Sequence, residues 1–242
     1  MRPYNCNAAI GSREHAMHDD DNHIIQSWHT NAKPWVNAVR EQQIESRRAV
    51  TDRAIVDAIK AHAPATVLDV GCGEGWLARA LTEYGMQVTG VDVVPELIAA
   101  ARQAGGGDFH ELAYDALAAH PFPYRFDAMV CNFSLLGGQS TESVFRAATQ
   151  LLTPGGLMFV QTLHPETAGG DQPYVDGWRP GSWQGFQPAL REQFRDPAPW
   201  YFRTLASWQD LFVDGRLTLI ETQTPVRSAG SQPVSVIFVA KC

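Results

Sequence analysis

The chain has 242 residues, 45% hydrophobic and 19% charged, with a formal net charge of −7. That is enough to bury the core of one soluble α/β domain with an elaboration, and two independent domains are not required. The acidic balance disfavours a nucleic acid or any partner held mainly through phosphates, while leaving room for a local basic patch.

Residues 1–22 are polar and aperiodic and read as a disordered tail. His15, His18 and His23 around Asp19, Asp20 and Asp21 form the one alternative there, a metal-ligand cluster; the tail is the simpler reading and no metal is expected. From about residue 38, Val39, Ile44, Val50, Ile55, Val56 and Ile59 recur at helical spacing and predict a leading amphipathic helix over 38–62, ended by "AHAP". Strand-like and helix-like segments then alternate: strands at 66–70, 87–92, 108–112, 126–131 and 156–162, helices at 75–84, 95–104 and 141–152. Such alternation predicts right-handed βαβ units and a doubly wound, Rossmann-like, mostly parallel sheet. After "LHP" the pattern stops, and residues 163–203 are rich in Gly, Pro and aromatics, the composition of a substrate lid or binding loop. A helix near 204–214 and the runs "LTLIETQ" and "VSVIFVA" close the sheet, so 23–242 reads as a single domain with its core at 66–162.

Cys6, Cys72, Cys131 and Cys242 lie far apart with no CxxC pair, which argues against a disulfide framework or zinc site and for a reducing compartment, the cytoplasm. No apolar run reaches membrane-spanning length, and the first residues carry no apolar signal core.

The stretch "VLDVGCGEGW" holds the strongest signal. Gly71, Gly73 and Gly75 follow the first strand at the point where an open parallel sheet binds its ligands, and bare backbone there lets a ligand approach closely. A nicotinamide fingerprint would need glycine where the chain has Trp76, and no G-K-[ST] follows to make a P-loop. Asp92 ends the second strand, "VTGVDVV", about twenty residues on, where a carboxylate accepts the hydroxyls of a ribose.

"VLDVGCGEG", "VTGVDVV", "AYDAL", "FDAMVCNFSLL" and "LLTPGGLMFV", in that order, resemble the successive motifs of the class I S-adenosylmethionine-dependent methyltransferases. The resemblance covers residues 66–162 and implies a seven-stranded sheet with an antiparallel edge strand, S-adenosylmethionine as cofactor, S-adenosylhomocysteine as product, and no metal. It implies that backbone from Gly71 through Cys72 and Gly73 to Gly75 lines the methionine portion, with Asp69 orienting its ammonium. Asp92 would bind the ribose hydroxyls and Val93 pack on the adenine. Asp115 would accept from the adenine amino group and the Ala116 amide would meet a ring nitrogen. Asn132 and Phe133 would close the pocket, and Arg47 or Arg48 would partner the cofactor carboxylate. Cys72 and Cys131 could also be read as redox or nucleophilic thiols, but no base is evident beside either.

His164, just past the fifth strand, is the candidate general base for a hydroxyl acceptor. Asn132-Phe133-Ser134-Leu135 departs from the Asn/Asp-Pro-Pro-aromatic run of amino methyltransferases acting on bases, Val130 rather than proline precedes Cys131, and Asp127 lies at the wrong end of its strand for a magnesium-dependent catechol enzyme. What remains is a small planar or apolar acceptor, walled by Trp28, Trp35, Trp178, Trp183 and Tyr201. The layout is loosely similar to the methyltransferases of quinone biosynthesis. A tRNA or protein methyltransferase, a nucleotide-dependent oxidoreductase and a non-catalytic cofactor-binding protein are the alternatives.

Overall fold

The computed structural model describes the backbone from Ala8 to Cys242 and the side chains from Asp20 onward. The chain opens with α1 (Ala8–Arg40), passes through a π-helical turn (Arg47–Thr51) and continues into α2 (Asp52–His62). Strands and helices then alternate as β1 (Thr66–Val70), α3 (Trp76–Thr82), β2 (Gln87–Asp92), α4 (Pro95–Ala104) and β3 (Asp108–Glu111). A 3-10 turn (Tyr114–Ala119) leads to β4 (Phe126–Asn132), α5 (Gln139–Leu151) and β5 (Leu152–Leu163). The aromatic insertion contains α6 (Pro165–Ala168), β6 (Gly177–Arg179), α7 (Pro188–Arg191) and β7 (Trp200–Phe202); α8 (Leu205–Asp214), β8 (Thr218–Gln223) and β9 (Ser235–Lys241) complete the chain.

Seven strands form one sheet in the order β3-β2-β1-β4-β5-β9-β8. The first five run parallel, and β9 runs antiparallel to both β5 and β8, one place in from the edge. The inner strands β1, β2, β4 and β9 are buried on both faces, which is why they read as apolar runs rather than alternations. Leu68, Met129, Cys131 and Phe238 face the layer of α5 and α8, where Phe145 and Phe212 meet edge to face. Val67, Ala128, Val130 and Phe159 face α2 and α3, against Ile55, Ile59 and Leu77. Each such apolar side chain contributes roughly 1.5–3 kcal/mol when removed from water. Among the described residues no helix is long and apolar enough to cross a membrane.

The N-terminal region departs from its local pattern. Instead of a tail to residue 22 and a helix over 38–62, helix runs from Ala8 to Arg40 through Pro34, breaks where Gln42 takes a φ of 53°, and resumes before the π-helical turn. Pro34 lacks an N–H and ordinarily interrupts a helix. Here packing outweighs that cost, because Ala32 and Ala38 are buried and Trp28, Trp35 and Val36 rest on Val93, Val94 and Leu97. "AHAP" does end α2, with Ala63 left-handed at φ 47°.

The side chains of His15, His18 and Asp19, and Cys6 with residues 1–7, lie outside the described residues. Asp21 and His23 are not a metal pair: His23 Nε2 lies 2.9 Å from Asp196 Oδ1, and Asp21 caps another helix. Its carboxylate accepts from Gly138 N at 3.1 Å and Ser140 Oγ at 2.9 Å at the N-terminus of α5, where no local side chain caps. Asp21→Ala should therefore lower stability by about 1 kcal/mol, the usual worth of such a cap, read as a shift in urea midpoint at constant slope.

Candidate active site

The C-terminal ends of β1, β2, β4 and β5 meet beneath the segments that follow them, and the glycine turn hangs from this edge. Gly71 N and Cys72 N both donate to Val91 O, at 2.8 and 3.0 Å, tying the turn to β2. Gly71, Gly73 and Gly75 have φ of 75°, 56° and 81°, the left-handed region in which a side chain is strained. Asp92 then braces the turn from the next strand: Oδ2 accepts from Gly73 N at 2.9 Å and Oδ1 from Val94 N at 3.0 Å. Burial holds its carboxyl above the usual range, and the N–H groups of Val94 and Gly73 pull the other way.

Asp69, on β1 just before the turn, is 2% exposed, and its Oδ2 has no hydrogen-bond partner among the described residues. Burial, with Asp92 nearby, raises its carboxyl from 3.8 to about 7. A carboxyl whose folded value is raised contributes stability that is complete below its unfolded value and is lost as pH climbs through the folded one. The stability of the free protein should accordingly fall between about pH 4 and 7 by a few kcal/mol. Asp69→Asn should flatten that decline in denaturation curves taken across the same range.

Three further buried polar atoms stand unpartnered along this edge among the described residues: Asn132 Oδ1 at the end of β4, Gln161 Oε1 in β5 and His164 Nδ1 just beyond it. Phe133 follows Asn132 with a φ of 54°, uncommon for a bulky residue, and its N–H donates to Gln161 O at 2.8 Å. The expected acceptor walls fall into two groups. Trp28 meets Trp35 at 5.0 Å and Trp183 at 6.2 Å between centroids, and Phe186 and Phe194 extend this cluster. Trp178 instead pairs with Tyr201 at 5.5 Å across β6 and β7, packed toward Gly138, and Trp178 Nε1 is buried without an acceptor among the described residues. Arg203 fixes this second group by donating to Gly137 O and Gly138 O at 2.8 and 2.9 Å.

Residues 68–160 match the methyltransferase domain family. The matched segment takes in the glycine turn and Asp92 and makes up less than half of the chain. A ubiquinone biosynthesis O-methyltransferase of Xylella fastidiosa is 42% identical over 106 residues, covering 41% of this chain and 42% of that protein. One from Xanthomonas campestris is 39% identical over 105 residues, covering 41% of this chain and 44% of its own length. The chain thus spans less than half the length of the curated relatives it matches. Two solved structures share the fold over most of the chain. The Burkholderia thailandensis 1,6-didemethyltoxoflavin-N1-methyltransferase, with bound 1,6-didemethyltoxoflavin and S-adenosylhomocysteine, gives a TM-score of 0.60 at 18% identity, covering 100% of this chain and 92% of that one. Magnesium protoporphyrin IX methyltransferase from Synechocystis gives 0.63 at 16%, covering 92% and 99%.

Within the matched segment, the expected cofactor residues Asp69, Gly71, Cys72, Gly73, Asp92 and Val93 share the β1–β2 edge. Asp115 sits exposed in the 3-10 turn after β3. Ala116 departs from expectation, because its amide donates to Ala113 O at 3.1 Å within that turn. Arg47 is largely buried, with its guanidinium between the indoles of Trp35 (5.5 Å) and Trp76 (4.7 Å); Nε donates to Asp52 at 3.0 Å, and Nη2 has no acceptor among the described residues. Arg48 is exposed. Burial drives the thiols of Cys72 and Cys131 well up, which opposes thiolate chemistry at either. Asp127 holds the opposite end of the sheet, accepting from Ala65 N and Thr66 N.

Local patterns did not disclose three supports of the turn. Glu74, fully buried, is gripped by Arg79 at 2.6 Å and Arg40 at 3.0 Å, which joins the turn to α3 and the end of α1. Ser134 Oγ donates to Val70 O at 2.6 Å, and Tyr114 Oη donates to Ser134 O at 3.1 Å, filling the space beside Gly71. Only the spacing Glu74 to Arg79, one helical turn into α3, carried a local hint.

Proposed function

We propose that this domain transfers the methyl group of S-adenosylmethionine to a small molecule, at a hydroxyl or ring position of an aromatic or quinol-like compound. The observation that carries the reading is the row of buried polar atoms without partners among the described residues, Asp69 Oδ2 on β1, Asn132 Oδ1 at the end of β4 and His164 Nδ1 just past β5, along the sheet edge that carries the glycine turn. A buried polar atom left unmatched costs roughly 1–3 kcal/mol, so three at one sheet edge fit a polar ligand that completes them.

The residues suit the cofactor. Asp92 offers a buried carboxylate at the end of β2 for ribose hydroxyls, Val93 an apolar face for adenine, and Asp115 an acceptor at the 3-10 turn for the amino group. Asp69 suits the ammonium, and Arg47 Nη2, without an acceptor among the described residues, suits the carboxylate. S-adenosylmethionine supplies a methyl already made electrophilic by its sulfonium, so the chain has to position an acceptor and exclude water. His164, 4% exposed with Nδ1 free of partners among the described residues, would take the proton from an acceptor hydroxyl at that nitrogen. Trp178 Nε1 would donate to a polar group of the acceptor, and the Trp28, Trp35 and Trp183 cluster would exclude water above it.

The relatives named for ubiquinone biosynthesis, and the Burkholderia structure with bound 1,6-didemethyltoxoflavin, support a small-molecule substrate over a macromolecular one. The net charge of −7 gives an RNA acceptor little attraction. A cytoplasmic setting fits the free, buried thiols of Cys72 and Cys131.

Calorimetric titration with S-adenosylmethionine and S-adenosylhomocysteine, with NADH as control, tests the cofactor. Binding of the two sulfur nucleotides and not NADH is expected, followed by methyl acceptance among quinols and phenols. Binding of NADH alone would favour the oxidoreductase reading, and tight cofactor binding with no turnover across acceptors would favour a non-catalytic one. With a hydroxyl acceptor, His164→Asn should lower kcat by about a hundredfold or more and leave cofactor affinity unchanged.

A further inference from the structure

Outside the sheet edge just described, a cleft of about 590 Å³ opens between the end of α1, the π-helical turn, the start of α2 and α3. Its volume is in the range of small-ligand sites. Five arginines line it, Arg40, Arg47, Arg48, Arg53 and Arg79, against one lining acid, Asp52. Arg40 and Arg79 share the single carboxylate of Glu74, and among the described residues Arg53 pairs with the exposed Asp57. Arg47 spends Nε on Asp52 and keeps Nη2 buried with no acceptor among the described residues. In a chain with a formal charge of −7, this is a concentrated positive site.

We propose that this cleft binds a small organic anion, an apolar or aromatic body bearing a multiply charged phosphate-type head. Guanidinium groups present paired N–H donors that match phosphate oxygens, and several converging forks favour a head with more than one charge. Apart from Gln42 the rest of the lining is apolar: Ala38, Val39, Ile44 and Ala104 form the walls, and the indole of Trp76, already stacked on Arg47, offers a flat face. A bare inorganic ion would leave those surfaces uncovered; an organic phosphate covers both. The π-helical turn gives the cleft its shape, since it carries Arg47 and Arg48 directly before Arg53, and π-helical turns recur at functional sites. Glu74 lies within the glycine turn, so an anion that draws Arg40 and Arg79 toward itself would be felt at the cofactor edge.

The cleft shares Arg47 with the cofactor carboxylate assigned above and rests on that reading in this one residue; with the cofactor bound, Arg40, Arg48, Arg53 and Arg79 are the arginines left to hold the anion. The test is calorimetry of the full chain with 1-naphthyl phosphate, with and without saturating S-adenosylhomocysteine. Binding in both arms is expected, with millimolar or tighter affinity, and it should weaken steeply with added salt. Arg53→Glu, at an exposed position that leaves the fold intact by thermal melting, should weaken the phosphate at least about tenfold and leave S-adenosylhomocysteine binding unchanged. Absence of binding, or an affinity unmoved by Arg53→Glu, would overturn the proposal. Loss of binding only when S-adenosylhomocysteine is present would also overturn it, by assigning the cleft to the carboxylate end of the cofactor.

Discussion

Asp92→Ala should weaken S-adenosylmethionine and S-adenosylhomocysteine by about a hundredfold or more in calorimetry. A hydrogen bond to a charged acceptor contributes about 1.5–3 kcal/mol, and a carboxylate holding two ribose hydroxyls makes two of them. Removing a buried carboxylate whose ionisation is already opposed by burial returns part of that energy to the free protein. The return does not cancel the loss, because Gly73 N and Val94 N surrender their acceptor in the same step and the turn loses its brace. Asp92→Asn separates the two effects: it keeps the shape and one acceptor oxygen, so its stability should lie nearer the parent while its affinity still drops by at least about tenfold. Parent-like affinity in a folded Asp92→Ala protein would mean that the cofactor lies elsewhere.

Gly71→Ala should be strongly destabilising. At φ 75° any side chain is strained, by roughly 1–2 kcal/mol for an L-residue in the left-handed region. The added Cβ would stand 2.3 Å from Ser134 Cβ and 2.5 Å from Tyr114 Oη. Neither neighbour is free to retreat, since Ser134 Oγ is held by Val70 O and Tyr114 Oη by Ser134 O. Overpacking of this kind costs about 1–3 kcal/mol more, for about 2–5 kcal/mol in all, a large share of the stability of an ordinary domain. Gly73→Ala is the contrast. Its φ is 56°, but its Cβ would meet only Trp35 Nε1, at 3.6 Å, so it should cost no more than about 2 kcal/mol and act mainly on cofactor affinity. Urea midpoints for the two proteins decide the matter: equal losses would show that strain, and not the Ser134 and Tyr114 contacts, governs this turn.

Elements whose signal is local were legible in the chain. Strands β1, β2 and β4 are buried on both faces and so appear as apolar runs, and α4 begins with Pro95 at its first position and ends before Gly105. The glycine turn declares itself through three residues at alternating positions, and Asp92 through its place at the end of the next strand. Where local signal and packing disagreed, packing prevailed, as in α1, which passes through Pro34 because its buried face rests on α4 and on the insertion. Asn31 shows that docking: its side chain donates to Arg195 O and accepts from Arg195 N, an anchor between residues 164 positions apart.

The amino-acid sequence alone therefore determined the parallel sheet, the glycine turn after its first strand and the acid that braces it, since periodicity and backbone freedom are properties of neighbouring residues. The tertiary structure alone decided that Asp21 caps α5 from 117 residues away, that Arg40 and Arg79 share Glu74, and that the five aromatic wall residues divide into two groups. It also gathered arginines from four elements into one cleft. A hydrogen bond, an ion pair or an aromatic contact depends on distance in space, and no pattern along the chain records which distant partners folding will bring within reach.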